Sequence, residues 1–294
     1  MRNRRTGRAP RKNKGRQAHS MYWPAFEFDY RLDLRQLLPH MIAIESLQEA
    51  AASRVVPPPW REQPPAQGGS ASLPHPSSGA LNQEEIHVRK VQMMVSNTSK
   101  AQDWVRKRFS AGCTPLALDD ILTMHRLVAE EAGIAYATAG VLRSSGTIVT
   151  VGRKEVGGVH SGAPEARLPR LMNEYIEFVS SRRLRDLPPA MHALMAHFFF
   201  TTIHPFDDGN GRLSRLVSAG ILFERGYNGH GFYALSQHFY QNDARYHMIL
   251  HKIWREPAPP YELTEFVAFG MEGLASELQG INSFIKMKLH RTVD

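Results

Sequence analysis

Residues 204–215 read His-Pro-Phe-Asp-Asp-Gly-Asn-Gly-Arg-Leu-Ser-Arg, and their types and spacing form a chemical kit. His204 carries an imidazole whose ordinary pKa lies near neutrality, so it can take a proton from a hydroxyl. Asp208 offers a hard oxygen ligand, the kind Mg²⁺ takes beside phosphates. Gly209, Asn210 and Gly211 form a short turn that opens an apolar helical run from Leu213 to Phe223. Glycines there let main-chain N–H groups approach a ligand closely. The first N–H groups of a helix have no intrahelical partner, and the helix dipole is positive at that end, so such a turn binds phosphate. Arg212 and Arg215, three apart, share one helix face and present forked donors suited to phosphate oxygens. Phe206 is a packing residue that holds the loop down. The set suits transfer of a phosphate-containing group from a nucleotide to a hydroxyl. A tight turn beside a structural histidine is the plainer alternative.

Such a loop has to be held by the elements around it. Helical patterns run over 84–108, 117–132, 164–182, 188–203, 212–225, 235–254 and 261–287, with an earlier one from Leu34 to Ala52. The stretch 188–203 is apolar nearly all round, as a central buried helix should be, and it delivers His204 at its end. His197 stands seven residues before His204; a satisfied core histidine and a metal pair are both open readings, the first favoured. Gly226, after Arg225, is a helix C-cap. The best strand signal lies in 140–152, where β-branched residues run from Thr147 to Val151 between Gly146 and Gly152.

The chain of 294 residues divides into a basic disordered arm (1–20), an N-terminal helical segment (21–54), a Pro/Gly/Ser-rich linker (55–82) and a main domain (83–290). The net charge of +8 is local: residues 1–16 hold eight Lys and Arg and no acid, which equals the whole excess. That arm suits nucleic acid or an acidic partner, although a solvated tail or a start at Met21 explains it as well. No run approaches a membrane span, no apolar leader follows the basic start, and the single cysteine, Cys113, fits a reducing, cytoplasmic compartment.

Eight positions, His204, Phe206, Asp208, Gly209, Asn210, Gly211, Arg212 and Arg215, match HxFx(D/E)GNGRxxR. This resembles the active-site motif of the Fic (filamentation induced by cAMP) family, and the likeness extends over roughly residues 84–287. The resemblance implies an all-α Fic-fold helical bundle with a small β-hairpin flap. It implies an adenylyltransferase that moves AMP from ATP to a Ser, Thr or Tyr hydroxyl of a target protein and releases pyrophosphate. His204 would be the general base and Asp208 the Mg²⁺ ligand. Gly209, Asn210 and Gly211 would form the anion hole, Arg212 would bind the β- and γ-phosphates, and Arg215 would reach the γ-phosphate. A Doc-like kinase carries Lys where this chain has Gly211. Thr147, Ile148, Val149, Thr150 and Val151 would form the flap on which an extended target segment docks by strand addition. Tyr246, after Arg245, would stand on the adenine side.

Many relatives of this kind carry an inhibitory helix with (S/T)xxxE(G/N). Here Glu272 alone precedes Gly or Asn, and Ala268 stands four residues earlier. Leu81-Asn82-Gln83-Glu84-Glu85 resembles the stretch that follows an N-terminal inhibitory helix, but Ser77 or Ser78 stands where its Glu would be. Seven prolines between 54 and 80 exclude a long helix there, at about 3 kcal/mol each. The expectation is an enzyme without its own brake and without AMP-removing activity, open to a separate antitoxin-like inhibitor. A non-catalytic nucleotide-binding relative, a transferase of another nucleotide, and a nucleic-acid-associated regulator are the rival readings. Target and oligomeric state are not encoded legibly.

Overall fold

The computed structural model describes residues 23–53, 83–109, 115–129, 138–144, 146, 148–156, 158–227 and 235–290. The basic arm, the Pro-rich linker, Cys113 and Thr147 lie outside them. In chain order the elements are β1 (Tyr30–Arg31), α1 (Leu34–Ala52), α2 (Gln83–Arg108), α3 (Leu118–Ala129), β2 (Thr150–Arg153), β3 (Gly158–Ser161), α4 (Leu168–Ser180), α5 (Arg182–Arg185), α6 (Pro189–Ile203), α7 (Asn210–Glu224), α8 (Ser236–Gln241), α9 (Asp243–Trp254), β4 (Tyr261–Glu262) and α10 (Thr264–His290). Among the described residues the architecture is all-α with one small hairpin and one pair of two-residue strands.

Helix α6 is the axis. Pro189 at its first position costs no hydrogen bond, and every residue from Ala190 to Ile203 is buried. Its neighbours come close through small contacts. The Ser218 hydroxyl of α7 donates to Ala193 O at 3.0 Å, and the Tyr175 hydroxyl of α4 donates to Ala196 O at 2.9 Å. Gly270 of α10 lies against Leu194, where an added Cβ would stand 2.2 Å from Leu194 Cδ2. Gly270→Ala is therefore expected to lower stability by about 1–3 kcal/mol through overpacking, which thermal unfolding would read; an unchanged melting temperature would show that Leu194 moves aside freely.

The segment from Trp23 onward is built into this same core. Asp33 caps α1, its carboxylate accepting from Arg35 N at 3.0 Å. Helix α1 then packs along α10, where Asn282 Nδ2 donates to Leu47 O at 3.0 Å. β1 pairs with β4 in parallel, Tyr30 opposite Tyr261. Phe28 packs against Phe178 and Phe199 at ring-centroid separations of 5.2 and 5.3 Å.

Three local features differ from the sequence expectation. The helical pattern over 235–254 is two helices broken at Asn242, whose side chain bonds back to His238 O at 3.0 Å. The pattern over 261–287 opens with β4 rather than helix, because Tyr261 N donates to Asp29 O (3.1 Å) and Leu263 N to Arg31 O (3.1 Å). The hairpin runs Thr150–Ser161, later than the strand signal at 140–152 suggested. Residues 141–144 have their main-chain bonding elsewhere: Arg143 N donates to Pro205 O at 3.0 Å. Gly226 does end α7, at φ +77°.

Candidate active site

Residues 204–209 connect the end of α6 to the start of α7, and the site is built on that loop. His204 caps α6 in the left-handed conformation (φ 54°, ψ 63°), and among the described residues it is the one non-glycine with positive φ. That conformation costs roughly 1–2 kcal/mol for an L-residue, and it turns the chain sharply off the helix. Nδ1–H donates to Thr201 O at 3.3 Å. The proton is thereby placed on Nδ1 and the lone pair on Nε2, the arrangement a general base needs. Burial pulls the imidazole down to about 4, so the ring is neutral at pH 7; the Thr201 carbonyl works the other way and Arg143 nearby adds to the lowering.

The next four residues are tied in place before the helix begins. Asn210 is 2% exposed and turns its side chain back on Phe206, accepting from Phe206 N at 3.0 Å and donating to Phe206 O at 2.7 Å. Its side chain therefore closes the loop, and what Asn210 offers a ligand is its main-chain N–H. Phe206 is fully buried and stacks on His125, with centroids 3.9 Å apart. Gly209 sits at φ +81°, which a glycine adopts without strain. The first helical bond of α7 is Leu213 N to Gly209 O, so the N–H groups of Asn210, Gly211 and Arg212 have no partner within the helix.

Two guanidiniums flank that helix start. Arg212 donates from Nη1 to Val128 O at 3.0 Å, with Nη2 3.9 Å from Asp208 Oδ2. Arg215 neighbours Arg212 and the Tyr246 phenol, and among the described residues it has no ion pair. Burial lowers the pKa of both. The Asp208 side chain is 55% exposed, and its Oδ1 accepts the Gly209 N–H at 2.5 Å. A single open carboxylate beside unpaired main-chain donors fits Mg²⁺, which takes one or two protein carboxylates and completes its shell with phosphate oxygens and water. Among the described residues no cluster of three or more His, Cys, Asp or Glu could hold a metal by itself.

Tyr246 stands on α9 with its hydroxyl 3.0 Å from His197 Nε2 and its ring stacked on Phe239 at 4.9 Å. Burial pushes its phenol up to about 12. His197 is thus a buried neighbour of Tyr246, and burial draws it down to about 3. Of the flap residues, Ile148 is 79% exposed, Val149 O accepts Gly162 N at 2.9 Å, and Thr150 and Val151 form the first half of β2, Val151 buried. Gly162, at the outgoing end of the hairpin, packs on His204; a Cβ there would come within 3.0 Å of His204 Cβ.

Two site residues escaped the reading of the sequence. His125, on the apolar face of α3 with Ile121, Met124 and Val128, accepts Gly140 N–H on Nδ1 (2.9 Å) and donates from Nε2 to Asp208 O (3.2 Å). Arg143 donates from Nε to His204 O at 2.9 Å and from Nη2 to Ala163 O. The available signals were weak: one histidine at a core position of a helix, and one arginine just before a β-branched run. Glu272, the residue tested as an inhibitory glutamate, pairs instead with Arg245 at 2.7 Å on the surface.

Residues 115–222 match the model described as the Fic/DOC family. The chain is 34% identical over 112 residues to "Protein adenylyltransferase Fic" of Aedes aegypti, a match that covers 38% of this chain and 20% of that protein. It thus spans about a fifth of the length of that curated relative. Among solved structures it is similar to Fic-1 (residues 134–508) of C. elegans, with TM-score 0.56 and 18% identity over 85% of this chain and 74% of that one. It is also similar to a Fic domain containing signaling protein of Bacteroides thetaiotaomicron, with TM-score 0.56 and 17% identity over 87% and 91%. These two likenesses show the Fic fold. No helix among the described residues is long and apolar enough to cross a membrane.

Proposed function

We propose that this chain is a protein adenylyltransferase that moves AMP from ATP to a Ser, Thr or Tyr hydroxyl of a target protein. The observation that carries the reading is the pairing of a Nδ1-protonated, neutral His204 with three unpaired helix N–H groups and two arginines six to eleven residues further on. The target hydroxyl gives its proton to Nε2 of His204 as its oxygen bonds to the α-phosphorus. The bond from that phosphorus to the bridging oxygen breaks, and pyrophosphate leaves with the electron pair. The N–H groups of Asn210, Gly211 and Arg212 hold phosphate oxygens through oriented donors at the positive end of α7. Arg212 and Arg215 neutralise the leaving pyrophosphate. Asp208 would hold Mg²⁺, which supplies charge neutralisation on the phosphates when bound. The exposed Ile148 and the strand that follows it are where a target segment docks. Arg215 would reach the γ-phosphate, and Glu272 is engaged by Arg245; the chain is read as lacking an intrinsic inhibitory glutamate, with any inhibitor supplied by a separate antitoxin-like protein.

The test is incubation of the purified chain with α-³²P-ATP and Mg²⁺, alone and with a cell lysate. Label on protein supports the reading. Bound ATP with no label from any lysate would sink it in favour of a non-catalytic relative or another nucleotide donor. Asp208→Ala is expected to raise the Mg²⁺ concentration needed for half-maximal labelling by about tenfold or more; an unaltered Mg²⁺ titration would remove Asp208 from the metal-binding role.

A further inference from the structure

We propose that Arg143 is the positioning residue of His204: its guanidinium joins the carbonyl of His204 to the outgoing leg of the flap hairpin and so fixes where Nε2 stands relative to a hydroxyl delivered at the flap. The inference rests on the transfer reaction proposed above.

The side chain of Arg143 is 2% exposed, and its ion pair, with Glu165 Oε1, is loose at 3.8 Å. Asp207 also faces the guanidinium, and burial lowers the pKa of Arg143 itself. A guanidinium removed from water is costly unless well-made hydrogen bonds offset the lost hydration. Here those bonds go to main chain. Nε reaches His204 O at 2.9 Å, Nη2 reaches Ala163 O, and the residue's own N–H reaches Pro205 O at 3.0 Å. Ala163 N in turn donates to Ile203 O at 2.9 Å. Residues 143, 163 and 203–205 thus close a ring of main-chain bonds around one guanidinium.

The left-handed turn at His204 explains why an arginine is needed. The helix ends there, so the His204 carbonyl has no following helical N–H to accept from. Arg143 supplies that donor, and the planar fork reaches a second carbonyl at the same time. A lysine ammonium is a point charge without the fork. Glu165 ties the two legs together further out, accepting Gly146 N–H on both carboxylate oxygens at 3.1 and 3.0 Å. The nucleotide cradle is held by a different set of bonds, Asn210 to Phe206, His125 to Asp208 and Arg212 to Val128. Loss of the Arg143 fork should therefore misplace the base and leave the cradle intact.

The experiment compares wild type with Arg143→Lys and Arg143→Gln in the full chain. It reads the AMP transfer rate, the Kd for Mg·ATP, and the ¹⁵N signals of His204. The expected result is a transfer rate lowered about 30-fold or more, a Kd within threefold of wild type, and a changed His204 Nδ1–H signal. Transfer at the wild-type rate in Arg143→Lys would overturn the proposal. So would a parallel loss of transfer, nucleotide affinity and thermal stability in both variants, which would mark a purely structural arginine. If wild type itself transfers no AMP, the proposed function fails by that result alone. The His204 spectrum then still decides the inference: signals unchanged on substitution would refute it.

Discussion

Replacing His204 by Ala is expected to lower AMP transfer by about 10²–10⁴-fold, the span that a positioned general base contributes. Binding of Mg·ATP should stay within a few-fold of wild type. The phosphate-binding donors are the main-chain N–H groups of α7 and the two arginines, none of which bonds to the imidazole. The His204 carbonyl is held by Arg143 and its N–H by Phe200 O at 3.0 Å, and both bonds survive truncation of the side chain. The loss should appear in the rate at saturating ATP, read by radiolabel transfer and by calorimetric titration of nucleotide. Equal rates in variant and wild type would mean that the base is some other group, and lost nucleotide affinity would mean that the loop had collapsed.

The second large effect concerns pH. His160, His192 and His197 are essentially fully buried, and burial pulls them to about 3, 4 and 3. Each is hydrogen-bonded in its neutral form, His160 Nε2–H to Thr202 O at 3.2 Å and His192 Nε2–H to Val179 O at 2.9 Å, while His197 meets the Tyr246 hydroxyl. Cations face all three: His204 and His251, when protonated, face His160; Arg225 and Arg185 face His192; and Arg215 faces His197. Their folded-state pKa lies below the unfolded value, so the unfolded chain binds more protons as pH falls. Stability is therefore full above about pH 6.5 and is lost as pH falls from there toward the folded-state values. Each group adds a slope of up to about 1.4 kcal/mol per pH unit. Three together reach about 8 kcal/mol over two units, comparable with the whole stability of a typical domain. Cooperative unfolding between about pH 6 and 4, followed by circular dichroism, is the expected result. A melting temperature unchanged between pH 7 and 5 would contradict it.

What could be read from the residues was local. The 204–215 stretch announced a turn, a helix start and two arginines on one face because all of these are set by neighbours in sequence, and the structure brings these residues together at one loop. Helix α6 was legible for the same reason: a run that is apolar nearly all round leaves no solvent face. The break at Asn242 was not: it is a departure of one residue's backbone (φ −114°, ψ 30°) that keeps the bond from Asn242 N to His238 O, and no change of periodicity marks it. The hairpin was placed too early because β-branched residues favour extended chain without saying which extended chain finds a partner. In 141–144, Val141 N bonds to Thr138 O and Arg143 bonds to the 204–205 loop, so this stretch is not paired as a strand. Arg143 and His125 were hidden more deeply. Arg143 reaches the His204 carbonyl 61 residues on and His125 the Asp208 carbonyl 83 residues on, and no periodicity or spacing records such a bond.

The pairing of β1 with β4 has a consequence for the order in which the chain is made. Asp33 N is bonded to the hydroxyl of Thr264, 231 residues later, at 2.7 Å, and Leu37 and Ile44 are buried. At about 5–20 residues per second a ribosome takes on the order of 10–50 s to travel that distance. Throughout that interval Leu37 and Ile44 of α1 have been synthesised while α10, the helix along which α1 packs, has not. The nascent helix thus carries an apolar face waiting for its partner, the kind of surface that holding chaperones bind, and a late-made helix completes the burial of an early one.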